Sequence, residues 1–367
     1  MRIVFVLPAY PRFASGGYKI VYEHGNRLAA RGHVVHMVHT RERDHPGRPS
    51  GPPVRQLVQQ ARFIAGRTRD MMWSRQIRQI DWHEIDPRIR MNYVSDLSAS
   101  HVPDADVVVA TAWWTAIYVN SYPSAKGKKR YFIQNYEIFD GPPPMVDSTW
   151  RFPIKKAVIS SWLADKAKEL GVPTSEVTYV PYGFDHQQYS IIEPLTPRPR
   201  RVVMLYHTAP WKRCLKGIEA LELAHEFNTE TQAVLFGTFR RPRQLPSWIA
   251  YERSPNQNHL VRDIYNHASV YLCPSEFEGW HLPPAEAVAC GCTVVSTDIG
   301  GVRDYAIDGQ TALLATLDDT LGLATCVSTL LDNDELRLSL GNACREVLQK
   351  YSWESASRQF EEWLLDG

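Results

Sequence analysis

Short apolar, β-branched runs alternate with longer helical patterns from the first residues of this chain. "IVFVL" precedes "YKIVYEHGNRLAARG", whose apolar positions recur at helical spacing; "HVVHMVHT", "DVVVAT" and "RYFIQ" follow. Strands that alternate with helices form a parallel sheet covered on both faces, so this part of the chain reads as an α/β domain. The proline-rich "SIIEPLTPRPR" at 190–200 ends both periodicities. A second alternation then begins with the strand "RVVMLY" and runs through "LKGIEALELAHEF", "QAVLFG", "HLVRDIYNHA", "SVYLCPS" and "CTVVST". The pattern predicts a first domain over 1–190, a second over 200–350, and a final helical segment over 351–367.

One region breaks the alternation. Residues 41–90 hold eleven arginines against six acids, and Val54, Leu57, Val58, Ala61 and Ile64 share one helical face. Two readings fit residues 54–80: a surface helix packed on its own domain, or a basic amphipathic element touching an anionic membrane surface or carrier.

Composition narrows the function classes. Lys plus Arg total 41 against 40 for Asp plus Glu, a balance that argues against nucleic acid as a partner. The six cysteines lack paired metal-site spacing and read as reduced core thiols. Met1 leads directly into a strand-like run, and no run of eighteen apolar residues occurs. The expected location is therefore the cytoplasm, at the inner face of the membrane if the basic stretch binds there. Strand alternation separates His33 and His39 from His36, and Cys290-Gly-Cys292 has no second pair, so neither motif reads as a metal site. No metal and no cofactor is expected.

The chemistry concentrates in "CPSEFEGWHLPPAEAVACGCTVVSTDIGG", residues 273–301. Open α/β sheets bind ligands at the carboxyl ends of their strands, and here a strand gives way to a loop and then to a helix opening at Pro283-Pro284. A helix start favours an anion. Amides for it would come from Gly279, Trp280, His281 and Leu282, and from Ala285 onward. Glu286, in the first turn, would repel a phosphate unless it faces neutral hydroxyls. A diphosphate flanked by two polyhydroxylated rings, one at Glu278 and one at Glu286, satisfies that constraint, and a nucleotide sugar has this anatomy.

These residues resemble the signature of glycosyltransferase family 4, in which two glutamates are separated by seven residues; here they are Glu278 and Glu286. "SGGYKIVYEHGNRLAARGHVVHMV", "VPYGFDHQQY" and "YSWESASRQFEEWL" resemble further family segments in order, so the likeness covers nearly the whole chain. "YFIQNYEIFDG" and "APWKRCLKGIEAL" are similar, more loosely, to a bacterial polysaccharide branch that includes rhamnosyltransferases using dTDP-rhamnose.

The resemblance implies a GT-B fold: two Rossmann-like domains facing each other across a cleft, with a C-terminal helix crossing back to the first. It implies a retaining transferase, independent of metal, that moves a sugar from a UDP-, dTDP- or GDP-sugar to a glycan, a lipid-linked saccharide or a small molecule. Domain closure about residues 185–200 would exclude water. Glu278 would then contact the transferred sugar and Glu286 the ribose.

A basic pair in the first loop of the second domain would neutralise the leaving diphosphate. Lys216 before Gly217 fits the family pattern, with Arg213 chosen as its partner and Lys212 nearby; the usual spacing would put that arginine at Trp211. Gly16 and Gly17 would admit a phosphate or acceptor close to backbone. Trp113 and Trp114 offer either core packing or sugar-stacking surfaces for an acceptor. Gln134, Asn135 or Glu137 would occupy the space of the usual family histidine. Two alternatives share the ligand: a nucleotide-sugar epimerase and a catalytically idle nucleotide-sugar-binding protein.

Overall fold

The structure is a computed structural model, and it describes residues 1–11, 14–40, 80 and 82–366. The basic amphipathic stretch 54–80 therefore lies, but for Ile80, outside the described residues. Contacts divide the chain into two compact units: Met1–Val158 with Ala164–Val180 and Ser357–Gly367, and Ile159–Leu163 with Pro181–Ala356.

The first unit is built on a seven-stranded parallel sheet in the order β3-β2-β1-β4-β5-β6-β7. Its strands are β1 (Arg2–Ala9), β2 (Val34–Thr40), β3 (Arg90–Val94), β4 (Val107–Ala110), β5 (Lys128–Ile133), β6 (Lys155–Val158) and β7 (Val177–Tyr179). β1 and β4 are buried nearly throughout, as their unbroken apolar runs require for a sheet covered on both faces. Helices α1 (Gly16–Ala30), α2 (Trp113–Ser121) and α3 (Pro143–Trp150) follow β1, β4 and β5. Phe360, from the C-terminal helix, stacks 4.1 Å from His24 and packs edge-on against Phe132 at 5.0 Å. His33, His36 and His39 bond separately, to Glu361, Asn92 and Tyr22, so the histidine-rich strand gathers no common ligand.

The second unit has a six-stranded parallel sheet in the order β10-β9-β8-β11-β12-β13. These are β8 (Arg201–Leu205), β9 (Gln232–Gly237), β10 (Ile249–Arg253), β11 (Val270–Cys273), β12 (Thr293–Thr297) and β13 (Ala312–Ala315). Helix α4 (Ser161–Glu169) starts among this unit's residues. Helices α5 (Cys214–Phe227), α6 (Leu282–Ala289), α7 (Thr320–Asp332) and α8 (Asp334–Leu348) cover the sheet, and α9 (Trp353–Leu365) ends the chain. Leu221, Leu235, Leu272, Val295, Val327 and Leu330 belong to one continuous core of wholly buried side chains.

"HLVRDIYNHA" departs from the expected regular helix. After a short turn capped by Asn256, whose side chain accepts the His259 amide, residues Leu260–Tyr265 form a π-helical segment. Among the described residues no helix is long and apolar enough to cross a membrane.

Candidate functional site

In both sheets the strand order reverses beside the first strand, and such a reversal opens a crevice at the carboxyl edge. In the second unit the crevice lies between β8 and β11. Residues 206–213, after β8, carry Lys212; residues 274–281, after β11, carry Glu278. Glu276 N–H donates to the Trp211 carbonyl at 2.7 Å, and the Trp211 and Phe277 rings stack, so the two loops are tied together. The Cys214 thiol sits beneath the first loop, donating to the Leu205 carbonyl and accepting the His207 amide.

At the join, Lys212 Nζ stands 2.6 Å from Glu278 Oε1, and the Ser275 hydroxyl donates to the same oxygen at 2.8 Å. Glu278 is 7% exposed. Burial opposes its charge, but the His281 ring when protonated, then the Lys212 ammonium and these hydrogen bonds, hold its carboxyl below the usual carboxylate range. Burial pushes His281 down to about 3, so its ring is neutral near pH 7. Its Nδ1 lies 3.2 Å from Cys273 Sγ and its Nε2 3.7 Å from Glu278 Oε1. Nε2 is buried and has no hydrogen-bond partner among the described residues.

The loop leaves no room at Gly301. A Cβ there would meet the Glu278 carbonyl oxygen at 2.4 Å, and the His281 amide donates to the Gly301 carbonyl. That amide is therefore not offered to a ligand, contrary to the sequence expectation. Helix α6 opens with His281 as its cap and Leu282, Pro283 and Pro284 as its first residues. Pro283 and Pro284 lack N–H groups at positions where a helix has no internal partner for them.

Glu286 comes one turn later, 8% exposed. Tyr189 donates its hydroxyl to Oε1 at 2.6 Å and Tyr265 to Oε2 at 3.3 Å. Burial, reinforced by Glu286, drives both phenols far above their ordinary range, so they remain donors. Tyr265 closes the π-helical segment, an irregularity that recurs at functional sites.

Arg213 and Lys216, the expected basic pair, line one small cavity together with Pro274, Thr297, Asp318 and Thr320. Lys216 pairs with Glu219 on its own helix at 2.9 Å, and Arg213 pairs with Asp318. Among the described residues, the cation that reaches Glu278 is Lys212. The Trp280 ring is 4% exposed and packs among Tyr182, Tyr305 and Tyr351, while the Gly279 carbonyl accepts the Trp162 indole N–H.

In the first unit Gly16 opens α1, and a Cβ added at Gly17 would meet the Gln134 side chain at ordinary contact distance. Asn135 accepts its neighbour's amide, closing a local turn, and Glu137 accepts the Trp113 amide at the start of α2 at 2.6 Å. Trp113 and Trp114 are 0% exposed, so their rings are core and present no face for a sugar.

His207, Tyr189, Tyr265 and Ser275 were missed by sequence reasoning. His207 follows β8, packs edge-on against Phe239 and accepts the Ala209 amide on Nδ1, which leaves its proton on Nε2. Burial, then Lys212, lower its pKa against the pull of Glu278. Its place two residues beyond a strand end was the available signal.

Residues 203–333, all within the second unit, match the family model described as Glycosyl transferases group 1. Alpha-maltose-1-phosphate synthase of Mycolicibacterium smegmatis is 32% identical over 153 residues, 40% of this chain and 38% of that protein. D-inositol 3-phosphate glycosyltransferase of Corynebacterium aurimucosum is 34% identical over 113 residues, 31% of this chain and 27% of that protein. The chain thus matches well under half the length of these curated relatives. Among solved structures, sucrose-phosphate synthase from Thermosynechococcus elongatus superposes with a TM-score of 0.69 at 16% identity, covering 98% of this chain and 97% of that one. HepE of Anabaena, solved in complex with UDP, gives 0.72 at 14% identity over 100% of both chains. The fold is that of the GT-B glycosyltransferases.

Proposed function

We propose that this protein is a glycosyltransferase that moves a sugar from a nucleotide diphosphate donor to an acceptor, with retention of anomeric configuration and without a metal. The observation that carries the reading is the Lys212–Glu278 pair at the switch point of the second sheet, eight positions ahead of Glu286. Two features favour a polyhydroxylated ligand there. Both carboxylates are hydrogen-bonded by buried neighbours, and His281 Nε2 is left without a partner beside Glu278. The matched family segment and the UDP-bound likeness of HepE support the same ligand class.

In this reading Glu278 accepts a hydroxyl of the transferred sugar and Glu286 those of the ribose. Lys212 and the Leu282 end of α6 face the diphosphate, where charge grows as the glycosidic bond breaks. The departing phosphate oxygen takes the proton of the acceptor hydroxyl, which attacks from the same face, so no side chain need act as nucleophile. Losing one such electrostatic contact costs about 100-fold in rate.

The test is a panel of UDP-, dTDP- and GDP-sugars scored by thermal protection, then by transfer with and without saccharide acceptors. A ligand that binds the folded state raises its stability. At least one donor should protect and be consumed only with acceptor, giving a product of unchanged anomeric configuration by NMR. Absence of protection by every donor, or full transfer by Glu278→Gln, would overturn the reading.

A further inference from the structure

We infer that Glu278 is a charge gate that distinguishes the intact sugar donor from the nucleoside diphosphate left after transfer. The inference rests on the glycosyltransferase reading above. Its basis is that one lysine serves two partners. Lys212 Nζ lies 2.6 Å from Glu278 Oε1, with side chains only 17% and 9% exposed. Arg213 and Lys216 are engaged with Asp318 and Glu219, and His281 and His207 are neutral near pH 7. Lys212 is therefore the full positive charge that touches Glu278 among the described residues. A diphosphate that draws on Lys212 must share its charge with a nearly buried carboxylate.

The intact donor supplies a replacement. Its sugar hydroxyls donate to Glu278, and one of them can also hydrogen-bond His281 Nε2. The Cys273 thiol, kept protonated by burial, takes up Nδ1 of that ring at 3.2 Å, so the unpartnered Nε2 is the ring atom left for such a hydroxyl. Donor binding thus leaves Lys212, Glu278 and His281 each with a partner.

Free nucleoside diphosphate brings no hydroxyl to this place. Its terminal phosphate is a monoester with a second pKa of about 6, so at pH 7 it adds negative charge next to Glu278. Two like charges about 5 Å apart at an effective dielectric of about 20 weaken binding on the order of a hundredfold. The same carboxylate that accepts the donor sugar therefore drives out the spent nucleotide.

The experiment is calorimetric titration, without acceptor, of UDP and UDP-glucose, dTDP and dTDP-rhamnose, and GDP and GDP-mannose into the wild type and Glu278→Gln. The glutamine amide of the variant keeps an oxygen for Ser275 and Lys212, and thermal melts check that it folds. For the base that binds, Glu278→Gln should tighten the free diphosphate at least tenfold while its sugar conjugate holds or weakens. The product-inhibition constant should fall by the same factor.

A second arm needs no variant. In the wild type, the β-methyl ester of the same diphosphate, a diester without the extra charge, should bind more tightly than the free diphosphate. Unchanged or weaker diphosphate binding by Glu278→Gln, equal tightening of diphosphate and conjugate, or a weaker methyl ester overturns the gate. If no nucleotide and no conjugate binds the wild type, the glycosyltransferase reading itself falls.

Discussion

Tyr189 donates its hydroxyl to Glu286 across 97 residues of sequence, at 2.6 Å and out of contact with solvent. The bond fixes one oxygen of a carboxylate whose other oxygen is held by Tyr265 at 3.3 Å. A hydrogen bond to a charged group contributes about 1.5–3 kcal/mol, so Tyr189→Phe lowers stability by about that amount and lets the carboxylate turn. If Glu286 holds the ribose, the donor KM rises about tenfold with kcat nearly unchanged, because the ribose takes no part in bond breaking. Tyr265→Phe, losing the longer bond, has the smaller effect. Steady-state kinetics on both variants, with thermal melts, checks the order.

Two lysines four residues apart should behave differently. Lys212→Met leaves Glu278 charged and nearly buried, costing about 3 kcal/mol of stability and about 100-fold in transfer rate. Lys216→Met removes an ion pair whose side chains are 46% and 52% exposed, a loss of about 0.5 kcal/mol. Equal losses of activity would return Lys216 to the site. Urea melts and transfer rates measure both.

Gly301→Ala places a Cβ against the Glu278 backbone, which cannot swing aside as a flexible side chain would. The loop must shift, costing about 1–3 kcal/mol and displacing Glu278 from Lys212. Transfer falls more steeply than thermal stability, and activity assays beside melting curves will show whether it does.

Acid should destabilise both units. Burial lowers His24 and His39 in the first unit and His281 in the second to about 3, below the 6.5 of an exposed ring. The unfolded chain then binds more protons than the folded one between those values. The stability is fully present above pH 6.5 and is lost as pH falls toward 3, at up to 1.36 kcal/mol per unit for each ring. The Glu278 carboxyl, depressed in the folded state, adds a loss of the same sign below the ordinary carboxylate range. Urea midpoints from pH 8 to 4 test the slope, and His24→Leu should flatten it by one proton.

Much of this architecture is written in local pattern. Unbroken apolar runs such as "VVVA" and "VYLC" are buried on both faces and became central strands, and Gly291, in a left-handed conformation after α6, stops that helix where glycine alone is unstrained. Edge strands were less legible. β3 is "RMNYV" and β7 is "VTY", each with an exposed position and too short to show a period, and their strand character comes from the neighbour they pair with.

The sequence by itself determined two α/β units, the helix after Pro283-Pro284, and a pair of glutamates set eight positions apart around its start. Only the tertiary structure decided which cation meets Glu278. Lys212 ends a tight turn, Arg213 takes a left-handed conformation at φ 47°, and Lys216 is already on helix α5, so Lys212 turns to Glu278 while Arg213 and Lys216 line a separate small cavity. It also brought Tyr189 and Tyr265 to Glu286 and put Trp113 and Trp114 into the core. Spacing along a chain fixes which face of an element a side chain occupies, whereas its partners depend on backbone turns and on packing between segments far apart in sequence.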